Sequence, residues 1–221
     1  MKKLTSILAV AGMFLLLGSC SQSAQKNQDT NADSVAAHQM VKPLPAGIDT
    51  ANITDATVAA TFSSSDFDWA GGKLKFTVYA EDLYDAAQVS KLSVGDTLVY
   101  SGTPIVVEKI DRKDDMVSVN GDIDEGGALL QASKQGGTYR AMQLDDHSVY
   151  TRVGTATLPV SASVTIIDCR ENPTDPSDTI KAEQKKFVQG LKESKKQFTC
   201  LDTQVQIEKG TIVGITRKWI P

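Results

Sequence analysis

Apolar and polar residues alternate along short segments in the C-terminal three quarters of the chain, as half-buried β-strands do. Residues 73–79 are the clearest case: Leu74, Phe76 and Val78 share one face, and two lysines, a threonine and a tyrosine share the other. Similar segments recur to the C-terminus with turn residues between them. The pattern predicts a mainly β domain over residues 54–221, built as a small antiparallel barrel or sandwich.

The other predicted strands share this short length and are bounded by turn residues. They are residues 97–100, 104–110, 116–119, 128–132, 138–144, 148–153, 157–160, 163–167, 203–208 and 211–219. Ser101-Gly102 predicts a hairpin between the first two, and Lys209-Gly210 joins the last two. Asn120-Gly121 has the residues that a two-residue hairpin prefers.

Two segments predict helices. Asp85 is placed to cap residues 86–92, with Gln88 in the capping-box position. The sequence Asp175-Pro176-Ser177-Asp178 favours a helix start, because it combines a capping aspartate, a proline in the first turn and a further acid. Apolar residues then recur at helical spacing, namely Ile180, Phe187, Leu191 and Phe198. The spacing predicts one long amphipathic helix that covers an end or a face of the β structure.

The N-terminal 53 residues differ from the rest of the chain. Lys2 and Lys3 precede an apolar run over residues 7–17, which is too short to span a bilayer as a helix. Residues 21–53 are polar, rich in turn formers and without an aromatic residue, and they include His38. Such a composition buries too little apolar area to offset chain entropy, so residues 20–53 are predicted to form a flexible tether.

The apolar run ends in Leu17-Gly18-Ser19-Cys20. This sequence resembles the lipobox of bacterial lipoproteins, in which small residues precede a cysteine. The resemblance implies that residues 1–19 are a signal peptide and that Cys20, once cleavage exposes it, carries the lipid. It also implies anchoring in the cell envelope; Ser21 is compatible with the outer membrane, and the periplasmic and surface sides stay open.

Composition narrows the classes of function. The chain has 221 residues, a formal net charge of −4 and 23% charged residues, which is ordinary for one globular domain. An acidic chain with few interleaved aromatic and basic residues argues against nucleic acid as a partner. The expected partners are the membrane, through the N-terminal lipid, and an envelope protein or a glycan. No motif indicates a cofactor.

Three cysteines are present. With Cys20 assigned to lipid, Cys169 and Cys200 remain, and two thiols in an oxidising envelope usually pair. A disulfide between them would close a loop of about 30 residues and stabilise the fold by roughly 3–4 kcal/mol. Buried free thiols are the main alternative.

The best catalytic candidate is Asp145-Asp146-His147, because a carboxylate can orient a histidine ring for general-base catalysis. Adjacent aspartates before a strand are also an ordinary turn sequence. A second fragment, Asp122, Asp124 and Glu125, has oxygen ligands at spacings that resemble a calcium loop. Its glycine is one position late and Gln131 replaces the last acidic ligand, so a hairpin turn explains the same residues.

Two hypotheses follow from these residues. The first is a non-catalytic binding or interaction module on a lipid tether, whose ligand the sequence does not specify. The second is an envelope hydrolase, or an inhibitor of hydrolases, that uses Asp145, Asp146 and His147. The two differ in one structural expectation: catalysis needs these side chains to converge in a concave pocket.

Overall fold

Strands make up most of the regular structure, which confirms the prediction of a mainly β fold. A computed structural model describes residues 38–68, 70–121, 123–168, 180–182, 198–218 and 220. The strands are β1 (Met40–Val41), β2 (Ala56–Thr61), β3 (Phe67–Asp68), β4 (Lys73–Glu81), β5 (Leu83–Asp85), β6 (Thr97–Tyr100), β7 (Thr103–Val106), β8 (Ile110–Lys113), β9 (Met116–Val119), β10 (Ala128–Ala132), β11 (Thr138–Met142), β12 (Tyr150–Asp168), β13 (Ile180–Ala182), β14 (Thr203–Glu208) and β15 (Thr211–Arg217). The described helical elements are α1 (Ala86–Lys91) and the 3-10 turns Ser64–Asp66, Ile123–Glu125 and Leu144–Asp146.

The largest sheet has the strand order β13-β12-β15-β14-β2-β4-β3. The long strand β12 pairs with β4 along its first half and with β15 along its second half. Strands β2, β4, β12, β14 and β15, here called the large-sheet module, therefore share one apolar core. Leu74, Phe76 and Val78 are all buried in that core, which confirms the face predicted for residues 73–79.

The segment between β4 and β12, residues 82–149, builds a second core. It contains the sheet β5-β11-β10-β9-β8 and most of the small sheet β1-β6-β7, which β1 completes from the N-terminal side. Residues 82–149 and β1 are here called the inserted module. Tyr84, Leu98 and Leu130 lie at its centre and are fully buried.

Strand β12 replaces three predicted strands, because what looked like turns in the sequence are irregularities within one long strand. A bulge lies between Arg152 and Gly154. Pro159 is the last residue paired with β4, and Val160 is the first paired with β15, so the residue without an N–H lies where the partner changes. The β12–β15 and β1–β6 pairs are parallel, which differs from the exclusively antiparallel expectation.

Several local predictions are confirmed. The Asp85 side chain accepts a hydrogen bond from the Gln88 amide at 2.9 Å and caps α1. Hairpins join β6 to β7 and β14 to β15 at the predicted turns. The two-residue hairpin at Asn120-Gly121 was wrong, since β9 pairs with β10 across a longer loop. Instead, the Asn120 Oδ1 accepts hydrogen bonds from the Glu108 and Lys109 amides, at 2.8 and 3.1 Å. These bonds connect the loop after β9 to the chain after β7.

The folded part begins earlier than predicted. Residues 38–53, assigned to the tether from their composition, belong to the described fold: Val41 is 1% exposed, and Ile53 lies in the core of the large-sheet module. The Leu44 amide donates to the Leu83 carbonyl at 2.6 Å. The tether prediction was wrong here because a few apolar side chains without local periodicity bury against strands distant in sequence. Residues 20–37 of the predicted tether lie outside the described residues.

The predicted long helix is not present in the described part of the chain. Ile180, taken as its first apolar position, begins β13, in which Ile180–Ala182 pairs antiparallel with the end of β12. Pairing with a neighbouring strand supplies the backbone hydrogen bonds that a helix would have provided, and local spacing does not reveal such a partner. Residues 183–197 of the predicted helix lie outside the described residues.

Candidate functional site

The catalytic candidate lies on an exposed turn between β11 and β12. Asp145 and Asp146 have φ values of 58° and 63°, and both side chains are exposed. Asp146 forms an ion pair with Arg140 at 2.9 Å. The backbone of His147 closes the turn, because its carbonyl oxygen accepts a hydrogen bond from the Gln143 amide at 2.6 Å. The three side chains therefore do not form the concave, aligned site that the hydrolase hypothesis needs.

The calcium candidate is also a turn. Asp124 and Glu125 lie in a 3-10 turn with exposed side chains, and Asp122 lies outside the described residues. Within the described ranges, no group of three His, Cys, Asp or Glu side chains is arranged to hold a metal ion. The same ranges contain no helix that is long and apolar enough to cross a membrane.

The Cys200 thiol is half-buried and forms no disulfide with a residue that the structure describes, and burial raises its pKa above the usual value. Cys20 and Cys169 lie outside the described residues, so the lipid and the disulfide both stay predictions. Asp168, which precedes Cys169, accepts two hydrogen bonds from Arg217, at 2.8 and 2.5 Å. The Arg217 guanidinium lies 4.4 Å from the ring centroid of Phe198, two residues before Cys200. Labelling thiols in the unfolded, unreduced protein tests the pairing.

A cleft of about 320 Å³ opens where β2 and β4 separate, and it is here called the β2–β4 cleft. The ladder between these strands ends at the Ala59–Tyr79 pair. Beyond that pair, Thr57 and Glu81 lie on opposite walls, and the segment 44–48 borders the opening. Strand alternation places the polar residues here, since their neighbours Val58 and Val78 point into the core.

Two tyrosines, a carboxylate and an amide line this cleft. Tyr150 is the direct cross-strand partner of Glu81, and Tyr79 is two residues before Glu81 on the same strand. Gln204 pairs with Ala59 on the far side. All of these residues come from strands, so the backbone fixes their positions; the small side chain of Ala59 leaves the space between them.

A hydrogen-bond network holds Glu81 in place. Its Oε1 accepts from the Ser148 hydroxyl at 2.5 Å, and Arg140 donates to that hydroxyl oxygen at 3.3 Å. Arg140 is in turn held by Gln131, whose Oε1 accepts a hydrogen bond from the Arg140 Nε at 3.0 Å. Asp146, a member of the catalytic candidate, thus contacts Arg140, which in turn donates to the hydroxyl group that binds Glu81.

Tyr150 keeps its proton at neutral pH. Burial raises the pKa of its phenol above the usual value, and the negative charge of Glu81, the next largest cause, raises it further. A neutral phenol donates a hydrogen bond, whereas the Glu81 side-chain oxygens beside it accept hydrogen bonds. The two side chains together therefore present a donor and an acceptor to any group that enters the cleft.

A second cleft, of about 260 Å³, lies farther along the outer face of the same strands. Its floor is a row of threonines, Thr61, Thr77 and Thr155, that pair directly across β2, β4 and β12. The β12 bulge keeps Arg152 on this face, where its Nη2 donates to the Thr155 hydroxyl at 3.1 Å. Hydroxyl groups thus continue the polar surface beyond Tyr79.

The sequence interpretation missed the cleft residues, although one signal was present. Tyr79 is an outward aromatic residue on the polar face of the clearest predicted strand, which is an unusual place for a large ring. Searches of protein-family models, curated proteins and solved structures found no match to this chain.

Proposed function

We propose that this protein is a lipid-anchored, non-catalytic binding module of the bacterial cell envelope that binds a glycan unit in the β2–β4 cleft. The lipobox resemblance at Cys20 supports the anchor and an outer-membrane location. The five strands of the large-sheet module act as a small barrel that gives the cleft a rigid frame. The exposed turn at Asp145, Asp146 and His147 gives the hydrolase alternative no support.

The observation that carries this proposal is the set of groups in the cleft. Sugars present hydroxyl groups that both donate and accept hydrogen bonds, and Glu81, Gln204 and the Tyr150 phenol offer the matching acceptors and donors. The rings of Tyr79 and Tyr150 offer flat apolar surface for the C–H faces of a sugar ring. A cleft of about 320 Å³ is at the lower end of the volumes of small-ligand sites and suits one or two sugar units.

The test is calorimetric titration of the full-length protein with soluble glycan fragments released from bacterial cell wall. We expect saturable binding that weakens at least tenfold in Ala59→Trp, because the added ring fills the cleft floor. Thr165→Trp is the matched control, since Thr165 is an exposed residue of β12 that does not line the cleft. No binding by the wild-type protein, or equal binding by both variants, contradicts the proposal.

A further inference from the structure

The small sheet β1-β6-β7 has an outward face that is almost entirely apolar. Met40 pairs with Thr97, which pairs with Val106, and Val99 pairs with Pro104. These five residues, here called the outer face, alternate with Val41, Leu98 and Ile105, which pack in the core of the inserted module. Because successive residues of a strand point to opposite sides, the outer face points away from that core.

The exposure of this face is unusual for a sheet with one side in water. Met40 is 55% and Val106 57% exposed, and Val94, which is 60% exposed, lies at the margin. The Gly95 amide donates to the Val107 carbonyl at 2.8 Å and brings Val94 to the end of β7. Outward positions of an open sheet are normally polar, and none of the five outer-face residues is charged. Clustered exposed apolar side chains indicate a contact surface.

We propose that the outer face rests on the surface of the lipid bilayer that holds the protein's own anchor. This inference rests on the proposed lipidation of Cys20. Met40 is 20 positions after Cys20. The tether predicted from the composition of this segment would span about 25 Å root-mean-square, which would keep β1 close to the membrane. Strand β1 is thus the part of the outer face that leads directly toward the lipid.

The small size of the face favours lipid over a second copy of the chain. A stable protein–protein interface involves roughly 20–30 residues on each side, far more than this face offers. A weak contact is sufficient for a tethered domain, because the tether keeps the local concentration of membrane surface high. The next outward residue after Met40 is Lys42, an exposed cation that suits anionic headgroups.

The test uses the full-length lipidated protein in vesicles of phosphatidylethanolamine and phosphatidylglycerol, with some acyl chains brominated. Bromine quenches tryptophan fluorescence on contact, so Met40→Trp and Val106→Trp should each lose more fluorescence than the wild-type protein does. Thr165→Trp, at an exposed position of β12 in the large-sheet module, is the matched control and should show no added quenching. Added quenching of the first two variants alone supports the proposal.

Three results would overturn it, and they are distinguishable. Vesicle-bound protein without added quenching at positions 40 and 106 contradicts the membrane contact and leaves the anchor in place. Protein that does not associate with vesicles at all contradicts the anchor and the inference built on it. Quenching that is absent while chemical crosslinks join two copies through position 40 assigns the face to a dimer.

Discussion

The large-sheet module and the inserted module obey the same alternation rule but differ in what their outward positions carry. In β14 the outward residues Gln204, Gln206 and Glu208 are polar, and the residues between them are buried. In the sheet β1-β6-β7 the outward residues include the exposed Met40 and Val106. Inward apolar residues therefore identify a core, whereas clustered outward apolar residues identify a surface that contacts something other than water.

The largest expected loss of stability comes from shortening an inward-facing apolar side chain in the core. Phe76→Ala should lower the free energy of unfolding by about 3–5 kcal/mol, because it leaves a cavity in the core of the large-sheet module. Urea unfolding measures the change. Thr77→Ala, one residue along on the outward face, is the matched control and should change stability by about 1 kcal/mol at most, because it loses only cross-strand threonine contacts. Similar losses in both variants would contradict the assigned faces.

The next effect concerns the buried charge of the large-sheet module. Asp168→Asn should cost about 3 kcal/mol, at the low end for breaking a buried ion pair, because the Arg217 side chain is 2% and the Asp168 side chain 16% exposed. Replacing both residues, with Asp168→Leu and Arg217→Met, should be less damaging than Asp168→Asn alone. Thermal unfolding compares the three proteins, and a larger loss in the double variant than in Asp168→Asn would contradict a coupled pair.

Two buried aspartates of the inserted module should respond oppositely to pH. Burial raises the pKa of Asp96, but hydrogen bonds from Gln39 and Ser93 together outweigh it and leave the pKa below its usual value. Burial raises the pKa of Asp82, and one hydrogen bond from Thr151, at 3.1 Å, does not compensate. The stability that Asp96 contributes is present above the pKa of the unfolded state and is lost as pH falls through the lower pKa of the folded state. The stability that Asp82 contributes is present below the pKa of the unfolded state and is lost as pH rises through the higher pKa of the folded state.

Asparagine variants measured by urea unfolding between about pH 3 and pH 7 test this difference. Asp96→Asn should lose about 2 kcal/mol at neutral pH, because charge-assisted hydrogen bonds weaken, and it should approach the wild-type protein in acid. Asp82→Asn should match or exceed wild-type stability at neutral pH. The same pH response in both variants would contradict the opposite pKa directions.

The smallest effect is local to the inserted module. Asp85→Ala removes the cap of α1 and should cost about 1 kcal/mol, since the Gln88 amide loses its acceptor. Asp85→Ser, which retains a capping oxygen, should recover most of the loss. Chemical unfolding of the two variants makes the comparison, and equal losses would show that the cap contributes little.

Local features of the fold could be predicted from the sequence, and non-local ones could not. Strand β4, the Asp85 cap and the β14–β15 hairpin depend on residues that are near one another in the chain. The continuity of β12 depends on two partners, β4 and β15, that lie far away in sequence, so residues 148–153, 157–160 and 163–167 looked like three separate strands. Ile180 likewise looked helical because its partner in β12 is not visible in the spacing.

The β2–β4 cleft could not be predicted from the sequence for the same reason. Asp145, Asp146 and His147 attracted interest because they are adjacent and chemically distinctive, yet adjacency on a turn directs side chains into solvent. The cleft takes Thr57, Tyr79, Glu81, Tyr150 and Gln204 from four different strands. No short motif brings them together; only the pairing of β2, β4, β12 and β14 does.

The most direct test of the account is mass spectrometry of the N-terminal peptide of the protein isolated from its native membrane. We predict a peptide that begins at Cys20 and carries the added mass of a diacylglyceryl group on sulfur, with or without an acylated amino group. A peptide that begins at Met1 with Cys20 unmodified would contradict the anchor, and with it the envelope location and the membrane contact of the outer face.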